Sequence, residues 1–97
     1  MLTKKYFKTK TTCQVTFQLP PHIEAQTAVL VGDFNEWDRT ATPLEKVNGH
    51  WKTSLELEKG CEYQYCYFIN DRYWINDEQA DKYVYNGLNG TNSVVVI

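Results

Sequence analysis

The residues of this sequence with chemical potential are two clusters of carboxylates, two histidines, three cysteines and three tryptophans. Asp33, Glu36 and Asp38 form one acidic cluster, and Asp77, Glu78 and Asp81 the other. A glycosidase needs two carboxyl groups about 5 to 9.5 Å apart across a sugar, and a small, shallow domain gives little help in raising the pKa of one of them. Acidic residues beside Gly and Asn more often accept backbone N–H bonds in turns. Neither His22 nor His50 has a serine or cysteine near it in a nucleophile-elbow context, and there is no Gly-rich phosphate loop. The sequence therefore predicts no enzyme. Asp33 to Asp38 begins like a calcium loop, but Trp37 replaces an oxygen ligand and position six is not glycine. Cys13, Cys61 and Cys66 are odd in number and lack C-x-x-C spacing, so they read as reduced structural thiols. No metal and no cofactor is predicted.

The tryptophans are the better lead. Trp37 lies in a polar loop, Asp33 to Thr42, where a large ring asks for a reason. Trp74 adjoins Ile75 in a short strand, so the two side chains take opposite faces, and an inward Ile75 turns Trp74 outward. Trp51 is in phase with Leu55 and Leu57 and reads as core. Two outward rings on one face can clamp a flat apolar partner. The C–H face of a hexose is such a partner, with hydroxyls around its rim. Covering roughly 50 to 100 Å² of ring at about 25 cal/mol/Å² contributes on the order of 1 to 2.5 kcal/mol per tryptophan. Two rings and a few hydrogen bonds, less the cost of association, predict dissociation constants of roughly tens to hundreds of micromolar. The competing reading is that the rings pack at one end of the fold.

The elements that must position these rings are strands. The chain has 97 residues, 42% hydrophobic and 23% charged, with net charge -2, which suits one domain over residues 1–97. Fourteen per cent aromatic residues exceed what a core of this size needs. Ten basic against 12 acidic residues give no excess for neutralising phosphates, so nucleic acid is not an expected partner. No signal-peptide-like or membrane-spanning apolar run is present, so no membrane partner is predicted and a cytoplasmic location is expected. Lys4, Lys5, Lys8 and Lys10 read as a solvated terminal edge strand. Cys13, Val15, Phe17 and Leu19 alternate with polar residues; so do Trp51, Thr53, Leu55 and Leu57, and Tyr63, Tyr65, Tyr67 and Ile69 alternate with Gln64, Cys66 and Phe68. Residues 27–31 and 94–97 have buried-strand composition. Asn48-Gly49, Lys59-Gly60 and Asn70-Asp71 supply the turns, the first suited to type I′. Seven or eight short strands at roughly ten-residue spacing predict an all-β, antiparallel β-sandwich. Residues 77–92 read as a long polar loop.

Val31-Gly32-Asp33-Phe34-Asn35-Glu36-Trp37 resembles the segment that carries the GxFNxW motif in the family 48 carbohydrate-binding modules. These early-set domains include the N-terminal domains of isoamylases and branching enzymes and the glycogen-binding domain of the AMP-activated protein kinase β subunit. Leu55-Glu56-Leu57 with Gly60, Glu62 to Tyr65, Phe68 to Trp74, Asp77 and Asn92 follow the family's order, so the resemblance covers about residues 28–97. It implies an immunoglobulin-like (early-set) sandwich that binds α-glucan, a glycogen- or starch-type oligosaccharide, without catalysis. Trp37 and Trp74 would stack on glucose rings, Leu88 would reach over the sugar, and Asn92 would exchange hydrogen bonds with its hydroxyls. The family's basic residue is replaced by Cys66, with Lys52 and Arg72 as candidate substitutes. The alternative function is an accessory module that positions a glycogen- or starch-metabolising enzyme, or that pairs with a second copy, and binds little sugar.

Overall fold

The computed structural model describes residues 2–87 and 90–97. Among the described residues nine strands run in chain order: β1 (Leu2–Tyr6), β2 (Thr12–Gln18), β3 (Ala28–Gly32), β4 (Glu45–Val47), β5 (His50–Glu58), β6 (Glu62–Ile69), β7 (Tyr73–Ile75), β8 (Lys82–Tyr85) and β9 (Thr91–Val96). A 3₁₀ turn, Asp33–Asn35, follows β3. All pairings are antiparallel. One sheet has the order β1-β2-β5-β4 and the other β3-β6-β9-β8, with β7 also paired to β6. The fold is the expected all-β sandwich of the immunoglobulin-like type.

Period-two alternation explains the first sheet. Cys13, Val15, Phe17 and Leu19 are buried while Gln14, Thr16 and Gln18 face out. Opposite them Leu57 is buried, and Leu55 and Trp51 border the core. Leu30, Tyr65, Tyr67, Ile69 and Val95 meet these residues from the second sheet. Phe34 closes one end of the core, its ring 5.6 Å from Phe17 and 6.5 Å from Tyr65. The β4–β5 hairpin turns at Asn48 and Gly49, with φ of 51° and 83°, the two positive values that the Asn-Gly pair tolerates.

The stretch 77–92, expected as a loop, contains β8, which pairs Lys82 with Val94 and Tyr85 with Thr91. All four β8 residues are exposed. With no face buried, the strand leaves no hydrophobic alternation to read. The lysine-rich segment behaves as expected of an edge. Lys5 is exposed, and Lys4 reaches across the sandwich to Asp81 at 2.7 Å.

The second sheet has a split ladder. Along one edge of β6, β9 pairs with residues Glu62 to Tyr65 and β7 with Tyr67 to Ile69. Cys66 falls in the gap. Side chains bridge it: Asn76 Nδ2 donates to the Thr91 carbonyl at 2.9 Å, the Ser93 hydroxyl donates to Asn76 Oδ1 at 2.9 Å, and the Asp77 N–H donates to Ser93 Oγ at 2.8 Å. Asp77 itself is buried and accepts from the hydroxyls of Tyr65 and Tyr67 at 2.9 and 3.2 Å. Burial, reinforced by the Asp77 carboxylate, pushes both tyrosine pKa values well above the ordinary range.

Candidate functional site

Trp37 is positioned by the turn that leaves β3. Gly32 is required there by close approach. A Cβ on it would lie 2.5 Å from the Gln64 carbonyl oxygen and 2.8 Å from Tyr65 Cβ. Asn35 then ties the turn down, accepting from the Gly32 N–H at 3.0 Å and donating to the Leu30 carbonyl and the Thr42 hydroxyl at 2.9 and 3.0 Å. Glu36 and Trp37 both adopt left-handed backbone, at φ 57° and 58°. For a bulky aromatic residue this conformation is an outlier that costs on the order of 1 to 3 kcal/mol and persists only where its surroundings hold it. The Trp37 N–H donates to the Gly32 carbonyl at 2.9 Å, and its indole Nε1–H donates to Asp33 Oδ1 at 3.0 Å. The other Asp33 oxygen accepts from the Gln64 N–H at 2.8 Å, which fastens the ring to β6.

Trp74 is positioned by register. It lies opposite Phe68 in the β6–β7 pair, with ring centroids 4.6 Å apart, and is 44% exposed. Ile75 packs against the core, as the outward reading of Trp74 requires. The Arg39 guanidinium sits over the far partner of this pair, 5.5 Å from the Phe68 centroid. Trp37 and Trp74 line one groove of about 770 Å³.

The floor of the groove is a web of amides. Asn92 Nδ2 donates to Gln64 Oε1 at 3.0 Å, and Asn86 Nδ2 donates to Asn92 Oδ1 at 3.3 Å. Beneath them the Cys66 thiol faces Asn76 Oδ1 and Asn92 Oδ1 at 3.4 and 3.5 Å. Burial raises the thiol pKa, so Cys66 is a neutral, weak donor. Among the described residues lining the groove, Asp33 is the sole carboxylate and no lysine or arginine is present. Asp38, outside the groove, is held below the ordinary carboxylate pKa by the Thr40 N–H and hydroxyl. No group of three or more His, Cys, Asp or Glu side chains among the described residues could hold a metal ion.

Of the residues singled out from the sequence, Trp37, Trp74 and Asn92 come together here. Leu88 lies outside the described residues. Lys52 does not reach the groove: it is on β5 in the other sheet, paired with Gln18 and Glu45. Arg72 is at the β6–β7 turn over the Tyr73 ring and borders a different depression. Sequence reasoning passed over Gln64, Asn76, Asn86 and Tyr85. The alternation of β6 does turn Gln64 outward beside Cys66, and that signal was available. Tyr85 and Asn86 were hidden because β8 itself was.

The family model of carbohydrate-binding module 48, the isoamylase N-terminal domain, matches residues 21–85, about two thirds of the chain. The chain belongs to the carbohydrate-binding module 48 family. No curated protein matches it. The matched span contains Gly32, Trp37, Cys66 and Trp74 and ends before Asn92. A member of carbohydrate-binding module 48 is a carbohydrate-binding domain, and the chemistry of its groove is consistent with a neutral ligand. Amide groups both donate and accept, as sugar hydroxyls do, and the half-buried Trp37 and exposed Trp74 indoles offer apolar faces.

Proposed function

We propose that this carbohydrate-binding module 48 domain binds α-glucan without acting on it, with Trp37 and Trp74 as stacking platforms and Asn92 as the central hydrogen-bonding residue. The observation that carries this reading is the pairing of two tryptophans, one of them 44% exposed, with an uncharged amide floor in a single groove. Neither ring needs to be created by ligand. Trp37 is fixed by its indole bond to Asp33, and Trp74 by Phe68. Preorganised platforms reduce the ordering cost of association. Hydrolysis would need a second carboxyl group across the sugar from Asp33, and the described groove residues supply none.

Titration with maltoheptaose or glycogen, followed by tryptophan fluorescence, tests the reading. Saturable binding in roughly the tens to hundreds of micromolar range is expected. Trp37→Ala and Trp74→Ala should each weaken it by about tenfold or more. No saturable change at millimolar oligosaccharide would sink the proposal.

A second reading is that the domain docks on a glycogen- or starch-metabolising enzyme. It is favoured by the β8 edge, where Tyr83, Val84 and Tyr85 are all exposed and a free sheet edge is a template for pairing. Capture of such an enzyme that is indifferent to Trp37→Ala and Trp74→Ala would support it.

A further inference from the structure

A third ring borders the groove. Tyr85 lines it with Trp37 and Trp74 and is 73% exposed, the largest value among the exposed large apolar residues. It lies opposite Thr91, which also lines the groove, while Asn86 beside it donates through its side chain to Asn92 and through its N–H to the Gly90 carbonyl at 2.8 Å. The strand order gives the layout of the elements that carry the three rings. Trp37 follows β3 at one flank of the sheet, Trp74 is on β7 against the middle strand β6, and Tyr85 is on β8 at the opposite flank. With strands about 4.8 Å apart, three steps from β3 to β8 separate the flanks by about 14 Å. That span exceeds a single hexose and runs across the strands.

A phenol carrying a polar tip fits the rim of such a groove, since one face can meet a sugar while the hydroxyl stays in water. We infer that Tyr85 is a third stacking platform, so that the ligand of this site is an internal stretch of a glucan chain covering several rings in series, crossing the sheet from Trp37 past Trp74 to Tyr85. The inference rests on the glucan reading of the groove and extends it from two platforms to three. It also assigns work to β8, whose side chains bury little in the fold. The neutral amides between the platforms, Gln64, Asn86 and Asn92, lie where the hydroxyl rims of successive sugars would pass.

Isothermal titration of the unaltered protein, Tyr85→Ala and Tyr85→Phe with maltotriose and with maltoheptaose tests it. The expected result is a loss of about tenfold in maltoheptaose affinity for Tyr85→Ala, the worth of one partly covered ring, with maltotriose affinity changed by less than about twofold and Tyr85→Phe close to unaltered. Equal maltoheptaose affinity in Tyr85→Ala and the unaltered protein overturns the third platform and leaves the two-tryptophan site standing. An equal loss for both sugar lengths also overturns it, because the residue would then be shaping the groove rather than extending it. Failure of the unaltered protein to bind either sugar overturns the glucan reading itself. Because Tyr85 is exposed, the unfolding midpoint of Tyr85→Ala should match that of the unaltered chain, which certifies the comparison.

Discussion

The outer faces of the two sheets differ in kind. On the β1-β2-β5-β4 sheet the outward residues pair as polar couples: Gln14 with Glu56, Thr16 with Ser54, Gln18 with Lys52. The Thr16 and Ser54 hydroxyls are 2.8 Å apart, and Lys10 reaches Glu56 at 3.2 Å. On the β3-β6-β9-β8 sheet the outward positions Val31, Cys66, Phe68 and Val94 are buried even though they do not belong to the interior core. β2 alternates strictly, whereas β6 is buried without a break from Tyr65 to Ile69. A strand of a two-layer sandwich that is buried on both faces has a cover over its outer face. Over Phe68 lie the ring of Trp74, from the neighbouring strand of the same sheet, and the Arg39 guanidinium, and the Trp37 turn is fastened to β6 at Gln64, so one sheet is roofed and the other left bare.

This contrast can be broken most severely at Asp77. Asp77→Ala strips the acceptor from two buried tyrosine hydroxyls and should cost about 3 to 5 kcal/mol in urea denaturation. A loss under about 1 kcal/mol would mean that the inner network of the roofed sheet is dispensable. High pH attacks the same network more gradually. The unfolded chain releases tyrosine protons near the ordinary value of 10.0, while Tyr65 and Tyr67 keep theirs when folded. Their contribution is therefore whole below about pH 10 and falls as pH rises further, by about 1.4 kcal/mol per pH unit for each tyrosine. Denaturation midpoints collected across that range check the sign, and Tyr67→Phe should reduce the slope. The bare sheet supplies the smallest effect. Glu56→Ala removes an exposed ion pair with Lys10 and should shift stability by less than about 0.5 kcal/mol, with sugar binding unchanged.

How much of this was legible in the sequence follows the same division. β2 and β5 announce themselves because one face packs on the core and the other is polar, and the Asn48-Gly49 turn between β4 and β5 carries its own chemistry. Trp74 could be turned outward from Ile75 alone. Lys52, by contrast, was a candidate for the site because alternation reports which side of a strand a residue takes and not which sheet the strand joins. β8 escaped for a different reason. Its Lys-Tyr-Val-Tyr residues are held by ladder bonds to β9, by the Tyr83 hydroxyl on the Asp77 carbonyl and by the Lys82–Glu62 ion pair, with little burial, and a strand with no buried face has no periodicity to detect. The left-handed Trp37 has no sequence signature of its own beyond the motif around it. Its conformation is imposed by Gly32, Asn35 and Asp33 acting together.

The split ladder beside Cys66 has a consequence for how the domain can change over generations. Main-chain ladders are indifferent to side-chain identity, so substitutions seldom alter them. At the gap between β7 and β9 the joint is sewn instead by Asn76 and Ser93. Each stitch is one codon. The part of the fold on which the groove's outline depends is thus the part most open to revision by single substitutions, while the ladders on either side conserve the frame that receives them.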